Sequence, residues 1–209
     1  KGIDVPEHGR SGGSASERQQ LLDAQSAACA LYQSLLHGPG GQPARDYLEK
    51  RGFDAGSVKS FQIGYAPPGW DTLLRSDVAR KFSQEILVKA GLLKYNEQRN
   101  SFYDTFRNRL MFPIRDEQGR VIAFGGRAMP GSDDQAKYLN SPETPIFSKS
   151  RTCFGLDVAR KRIVETRTVV VVEGYCDVIG CHQFGVSNVV SVLGTALTSQ
   201  HVSLLRRYA

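Results

Sequence analysis

Glu173 and Asp177 are the only acidic residues between Thr168 and Ala209. Both fall where a β-branched run, Thr168 to Val172, gives way to a segment suited to helix. Ligands of open α/β sheets gather at the carboxyl ends of strands, so chemistry is expected here. Gly174 lets the backbone turn sharply, and the offset from Glu173 to Asp177 can bring both carboxylates to one mouth. Such a pair suits Mg²⁺, a hard ion that takes one or two carboxylates and completes its shell with phosphates and water. A plainer alternative has Asp177 capping the helix and Glu173 favouring its positive N-terminal end. Glu173 fits that alternative less well, because it directly follows four valines with no cation close in sequence.

The charge around this pair is of the opposite sign. The chain holds 27 Lys+Arg against 21 Asp+Glu, a net +6. From Arg99 to Arg167 there are 13 basic and 8 acidic residues, so that stretch carries +5 of the +6. A basic block of this kind meets a polyanion or forms a solvated face. Cys29, Cys153, Cys176 and Cys181 include no CxxC pair, and no histidine completes a zinc knuckle. They are expected to be buried free thiols in a reducing compartment. No apolar run reaches about 18 residues, the length that would span a membrane. With no signal peptide visible and Lys1 at its start, the chain is expected to be an interior piece of a longer, cytoplasmic protein.

The elements that must position these residues follow from periodicity. Residues 1–18 are expected to be a linker rich in Gly, Ser and charge. A helix is predicted from Ser16 to His37, with Leu21, Leu22, Ala28, Leu31, Tyr32, Leu35 and Leu36 as its apolar stripe. A second is predicted from Pro43 to Arg51, a strand over Phe61 to Tyr65, and helices over Asp71 to Phe82 and Ser83 to Ala90. Leu110 to Ile114 and Arg120 to Phe124 read as a hairpin turning at Gly119. Thr168 to Val172 is expected to be a strand buried on both faces. A helix over Asp177 to Phe184, a strand over Val186 to Leu193 and a helix from Thr198 or Ser199 to Tyr208 complete a β-α-β-α unit, which implies a parallel sheet. The fold class is therefore α/β.

Val169 to Asp177 (VVVVEGYCD) resembles the first signature of the Toprim fold, shared by primases, topoisomerases and some nucleases. Arg107 to Ile114 (RNRLMFPI) with Gly119 to Arg127 (GRVIAFGGR) resembles the basic hairpin of bacterial DnaG-type primases. Lys137 to Thr144 (KYLNSPET), Phe147 to Lys149 (FSK), Phe154 to Leu156 (FGL), Tyr47 to Gly52 (YLEKRG) and Ile63 to Trp70 (IGYAPPGW) fit the same family, in family order. The resemblance implies an α+β N-terminal subdomain at 19–165, carrying the basic hairpin, and a partial Toprim, Rossmann-like unit at 166–209.

It also implies a DNA-directed RNA polymerase, a nucleotidyltransferase that lays short RNA primers on single-stranded DNA with Mg²⁺ or Mn²⁺. Glu173 takes the leading catalytic position and Asp177 the following acidic one, as expected metal ligands, with proton transfer the alternative role for Glu173. The family's basic ridge falls on Arg51, Arg107, Arg109, Arg127, Lys137 and Lys149, with Tyr138 and Asn140 among them. Arginine clamps phosphate bidentately, lysine acts as a point charge, and Tyr138 offers a face on which a base can stack. The alternatives are edge charges protecting a strand at Arg107 and Arg109, core packing at Tyr138, and a solvated loop role at Lys137 and Lys149.

The expected partners are single-stranded template, ribonucleoside triphosphates and, through a further domain, a replicative helicase. In the family a zinc-binding domain precedes this region, and an Asp-x-Asp motif follows a few residues past Ala209. The 209-residue chain alone is accordingly expected to bind single strands weakly and not to polymerise. A topoisomerase or nuclease, or a non-catalytic single-strand-binding module, is the competing expectation.

Overall fold

The computed structural model describes residues 12–131, 136–194 and 196–209, so most of the linker expected at 1–18 lies outside the described residues. α1 (Gly12–His37) starts ahead of the predicted Ser16 cap, since extending a nucleated helix costs little. Leu21, Ala24, Ala28, Tyr32 and Leu36 recur at helical spacing and are buried. They lie against an antiparallel sheet of order β1-β4-β5-β6, formed by β1 (Gly64–Ala66), β4 (Arg109–Arg115), β5 (Val121–Ala128) and β6 (Tyr138–Asn140). Tyr32 meets Phe124 edge to face at 5.3 Å.

β4 and β5 are the expected hairpin. Leu110 pairs with Arg127 and Pro113 with Phe124, and Gly119 holds φ 82° in the turn. Asp116 Oδ1 accepts the amides of Gln118 and Arg120 there. Proline is tolerated in β4 because β1 reaches only Arg109 to Met111, leaving Pro113 past the end of that neighbour.

Around the sheet lie α2 (Gln42–Lys50), α3 (Ala55–Ser60), α4 (Asp77–Lys81) and α5 (Gln84–Lys89), with a separate hairpin of β2 (Leu93–Asn96) and β3 (Ser101–Asp104). The predicted helix from Asp71 to Phe82 is instead a run of turns followed by α4. The amides of Leu73 and Leu74 go to the Asp104 carboxylate, and Ser76 caps α4 by accepting from Val78 N.

The last part is α6 (Leu156–Thr166), β7 (Val170–Val172), α7 (Tyr175–Gln183), β8 (Val189–Ser191) and α8 (Ser199–Leu205). β7 and β8 are parallel, with Val170 opposite Val189 and Val172 opposite Ser191, as a β-α-β crossover requires. Burial of β7 on both faces is corrected. Val170 is 40% and Val171 37% exposed, because among the described residues β7 pairs with β8 alone.

This unit docks on the β4–β5 hairpin through the largely buried pair Arg115–Asp157 at 2.9 Å and through Glu117, which meets Arg207 at 2.5 Å and the Tyr208 hydroxyl. Among the described residues no helix is long and apolar enough to cross a membrane. All four cysteines are free. Cys29 and Cys153 are buried as expected, and burial pushes their thiols up to about 11 and about 12; Cys176 and Cys181 are only half-buried.

Candidate nucleic-acid and metal site

Glu173 directly follows β7 and is exposed; Asp177 lies in the first turn of α7, also exposed. Asp177 Oδ2 accepts from Gly174 N at 3.1 Å, so the capping role is real. Neither carboxylate enters a salt bridge with a described residue. Among the described residues no cluster of three or more His, Cys, Asp and Glu gathers round a metal position. What stands here is a pair of hard oxygen donors without a competing cation. That fits an ion taking two protein carboxylates and the rest of its shell from phosphates and water.

α7 rests on the sheet through Tyr175. Its ring stacks flat on Phe112 at 5.1 Å and meets Phe154 edge-on at 4.8 Å. The approach is so close that a Cβ at Gly125 would fall 2.3 Å from the tyrosine ring, which explains glycine in the middle of β5. The Tyr175 hydroxyl donates to Asn140 Oδ1 at 2.5 Å, and Asn140 Nδ2 donates to Leu193 O at 2.8 Å. Asn140 thus joins β6, α7 and the segment that follows β8. Its amide is engaged within the chain, a positioning duty that sequence did not predict.

Beside it Arg127 Nη1 donates to the Tyr138 hydroxyl at 3.0 Å and approaches Cys176 Sγ at 3.7 Å. The guanidinium also lies over the rings of Tyr47 and Tyr138 at 5.3 and 5.5 Å. Burial pushes the Tyr138 phenol up to about 12, so it stays neutral while accepting from Arg127, and its residue is 38% exposed. Lys137 and Arg51 are exposed, and Arg51 caps α2, whose Tyr47 meets Arg127. Gln183 of α7 ties into the same corner, donating to Gly52 O at 2.8 Å and accepting from Asp54 N. Half-buried Lys149 sits in a turn held by Glu143 and His201.

Arg109 is placed differently from the expectation. It is 1% exposed, and its guanidinium donates to Gly126 O and Ala136 O. Its strand position points it beneath the hairpin, where it braces the backbone instead of facing solvent.

Arg107 leads to residues that sequence reasoning missed. Its guanidinium lies 4.1 Å from the Trp70 ring and 5.5 Å from Tyr103, and Trp70 and Tyr103 are 5.7 Å apart. Trp70, the chain's single tryptophan, is 62% exposed. Cation–π pairing accounts for one side of the indole and leaves most of it to solvent. A lone tryptophan directly after Pro67, Pro68 and Gly69 was the available signal. Tyr47, Tyr175 and Cys176 were likewise not singled out.

Asp104 lies under this group and is 2% exposed. Burial, outweighing the amides of Leu73 and Leu74, pushes its carboxyl up to about 6 from 3.8. The folded chain therefore holds this proton more tightly than the unfolded chain. The contribution to stability is complete below about pH 4 and is lost as pH rises through about 6. Asp104→Asn is expected to flatten the profile of Tm against pH across that window; an unchanged profile would contradict the assignment.

Residues 31–160 match the family described as DNA primase catalytic core, N-terminal domain, and residues 167–209 match the Toprim domain. The DNA primase of Salmonella typhimurium is 46% identical over 191 residues, covering 91% of this chain and 32% of its own length. The chain thus spans about a third of the curated relatives it matches. The RNA polymerase domain of Mycobacterium tuberculosis primase DnaG superposes with a TM-score of 0.85 at 40% identity, over 91% of this chain and 62% of that one. A DnaG primase catalytic domain bound to single-stranded DNA superposes at 0.83 with 43% identity, over 93% and 60%. The chain belongs to the DNA primase catalytic-core family, and its last part is a Toprim unit.

Proposed function

We propose that the chain forms the template track and the first metal-binding corner of a primase, whose parent protein synthesises short RNA primers on single-stranded DNA. The observation that carries it is the Tyr175–Asn140–Leu193 linkage, which sets an exposed carboxylate pair beside a cationic, aromatic ridge. Template phosphates lie along Arg51, Arg127, Lys137 and Lys149, with Tyr138 and the Trp70–Arg107 pair as faces for unpaired bases. The single-stranded DNA in the related DnaG complex supports this choice of ligand. Arg109 contributes by bracing the hairpin. We also place the boundary between the two subdomains near residues 165–166.

Glu173 and Asp177 would hold Mg²⁺ or Mn²⁺ carrying an incoming ribonucleoside triphosphate. The bound ion would neutralise charge developing on the phosphate oxygens as a 3′-hydroxyl, giving up its proton, attacks the α-phosphate and pyrophosphate leaves. The chain's own residues do the rest. Asp177 fixes the start of α7 through Gly174 N, Tyr175 locks that helix to the sheet, and Arg127 with Lys137 holds the strand against the mouth. A replicative helicase is the partner of the parent protein.

Lys137→Ala in the full-length protein is expected to weaken single-strand binding. It should also reduce the slope of log affinity against log salt by about 0.7, the share of one phosphate contact. An unchanged slope would assign Lys137 to a solvated face. Incorporation of ribonucleotides opposite a single-stranded template by the full-length protein tests the activity itself; strand cleavage or relaxation without incorporation would replace primase by nuclease or topoisomerase.

A further inference from the structure

Trp70 sits in a loop between β1 and α4, and nothing in that loop's own sequence fixes where the indole points. The contacts that do so converge on one residue. Asp104 N donates to Trp70 O at 2.8 Å, its side-chain oxygens accept from Leu73 N at 2.7 Å and Leu74 N at 3.1 Å, and its carbonyl accepts from Arg107 Nη1 at 2.6 Å. Asp104 therefore grips the loop just after Trp70 with its carboxylate and the cation over Trp70 with its backbone. A neighbour on the same strand, Tyr103, supplies the second aromatic face.

Burying a carboxylate is unfavourable unless its hydrogen bonds are worth more than its lost hydration. A hydrophobic residue at the end of β3 would avoid that penalty, as Leu93 does opposite it. What Asp104 supplies in return is a loop whose amides are turned inward and whose indole is turned outward.

We propose that Asp104 is a positioning residue that holds Trp70 and Arg107 together as one platform for an unpaired base of the template. This rests on the template reading above. In Asp104→Asn one carboxylate oxygen becomes an NH2 donor, so one of the Leu73 and Leu74 amides loses its acceptor and faces a donor, the turn relaxes, and indole and guanidinium part.

Because Trp70 is the single tryptophan, its emission reports the platform directly. In the free protein, Asp104→Asn should shift that emission to the red and strengthen quenching by acrylamide, with far-UV circular dichroism unchanged. Asp104→Glu, which keeps the charge but displaces it, should fall between. On adding a thymidine oligonucleotide, wild type should show quenched Trp70 emission, and Asp104→Asn should bind about tenfold more weakly with the quenching lost.

Emission of Asp104→Asn matching wild type in the free protein would overturn the role of Asp104 and leave the template reading intact. Wild-type emission indifferent to an oligonucleotide that does bind would overturn the platform itself. Absence of any oligonucleotide binding would bring down the template reading too. If neither variant folds, hydrogen exchange in wild type decides: Leu73 and Leu74 amides protected to the level of global unfolding support the grip, and fast exchange refutes it.

Discussion

Glu173→Gln in the full-length protein is expected to lower primer synthesis by about 10³-fold or more, about 4 kcal/mol of transition-state stabilisation, with template affinity close to wild type. Glutamine preserves the shape of the side chain and one oxygen but removes the charge that a hard cation needs. Glu173 is exposed and outside any salt bridge with a described residue, so the exchange should cost the fold no more than about 0.5 kcal/mol. A loss of activity therefore reads chemistry and not unfolding. The check pairs a primer-synthesis assay with single-strand binding on the same preparation. Undiminished synthesis would remove Glu173 from the metal corner. Equal loss of binding and synthesis would make it a template contact.

Gly125→Ala is expected to be strongly destabilising. The added Cβ would stand 2.3 Å from Cζ and Oη of Tyr175. Tyr175 has nowhere to retreat, because Phe112 stacks on its ring and Phe154 closes the edge. Overpacking of this kind costs about 3 kcal/mol, which for a chain of this size lowers Tm by about 9 °C. The consequence reaches the site, since Tyr175 carries the hydrogen bond to Asn140 and the start of α7. Single-strand binding by the ridge and alignment of Asp177 should therefore fail together. Gly180→Ala is the control: no atom lies within 4 Å of the added methyl, and alanine favours the helix, so Tm should hold or rise slightly. A Gly125→Ala protein with wild-type Tm would mean that α7 does not rest on β5 as described.

Much of this was legible in the chain's pattern. The hairpin around Gly119, the parallel β7–α7–β8 crossover and the placement of Glu173 and Asp177 at its mouth each follow from local signals: a Gly turn, a β-branched run, and two isolated carboxylates. What was not legible depended on long-range partners. The stretch after Asp71 has the composition of a helix, yet Asp104, distant in sequence, draws its amides into turns. Arg109 joined the ridge through the family resemblance, but Arg107 lies ahead of β4 and Asn108 turns the chain at φ 49° between them, so the two reach different environments, one buried and one over Trp70. Val170 and Val171 have the composition of a fully covered strand, and composition cannot state which neighbours cover it. The engagement of Asn140 by Tyr175 and Leu193 likewise needed the fold.

The central claim is that Glu173 and Asp177 hold a metal-bound triphosphate next to the ridge. Anomalous diffraction from crystals of the full-length protein, soaked with manganese and a ribonucleoside triphosphate, tests it most directly. The account predicts a manganese peak coordinated by Glu173, with the phosphates extending toward the cations of the ridge. A well-occupied manganese–nucleotide site elsewhere, with this corner empty, would contradict it.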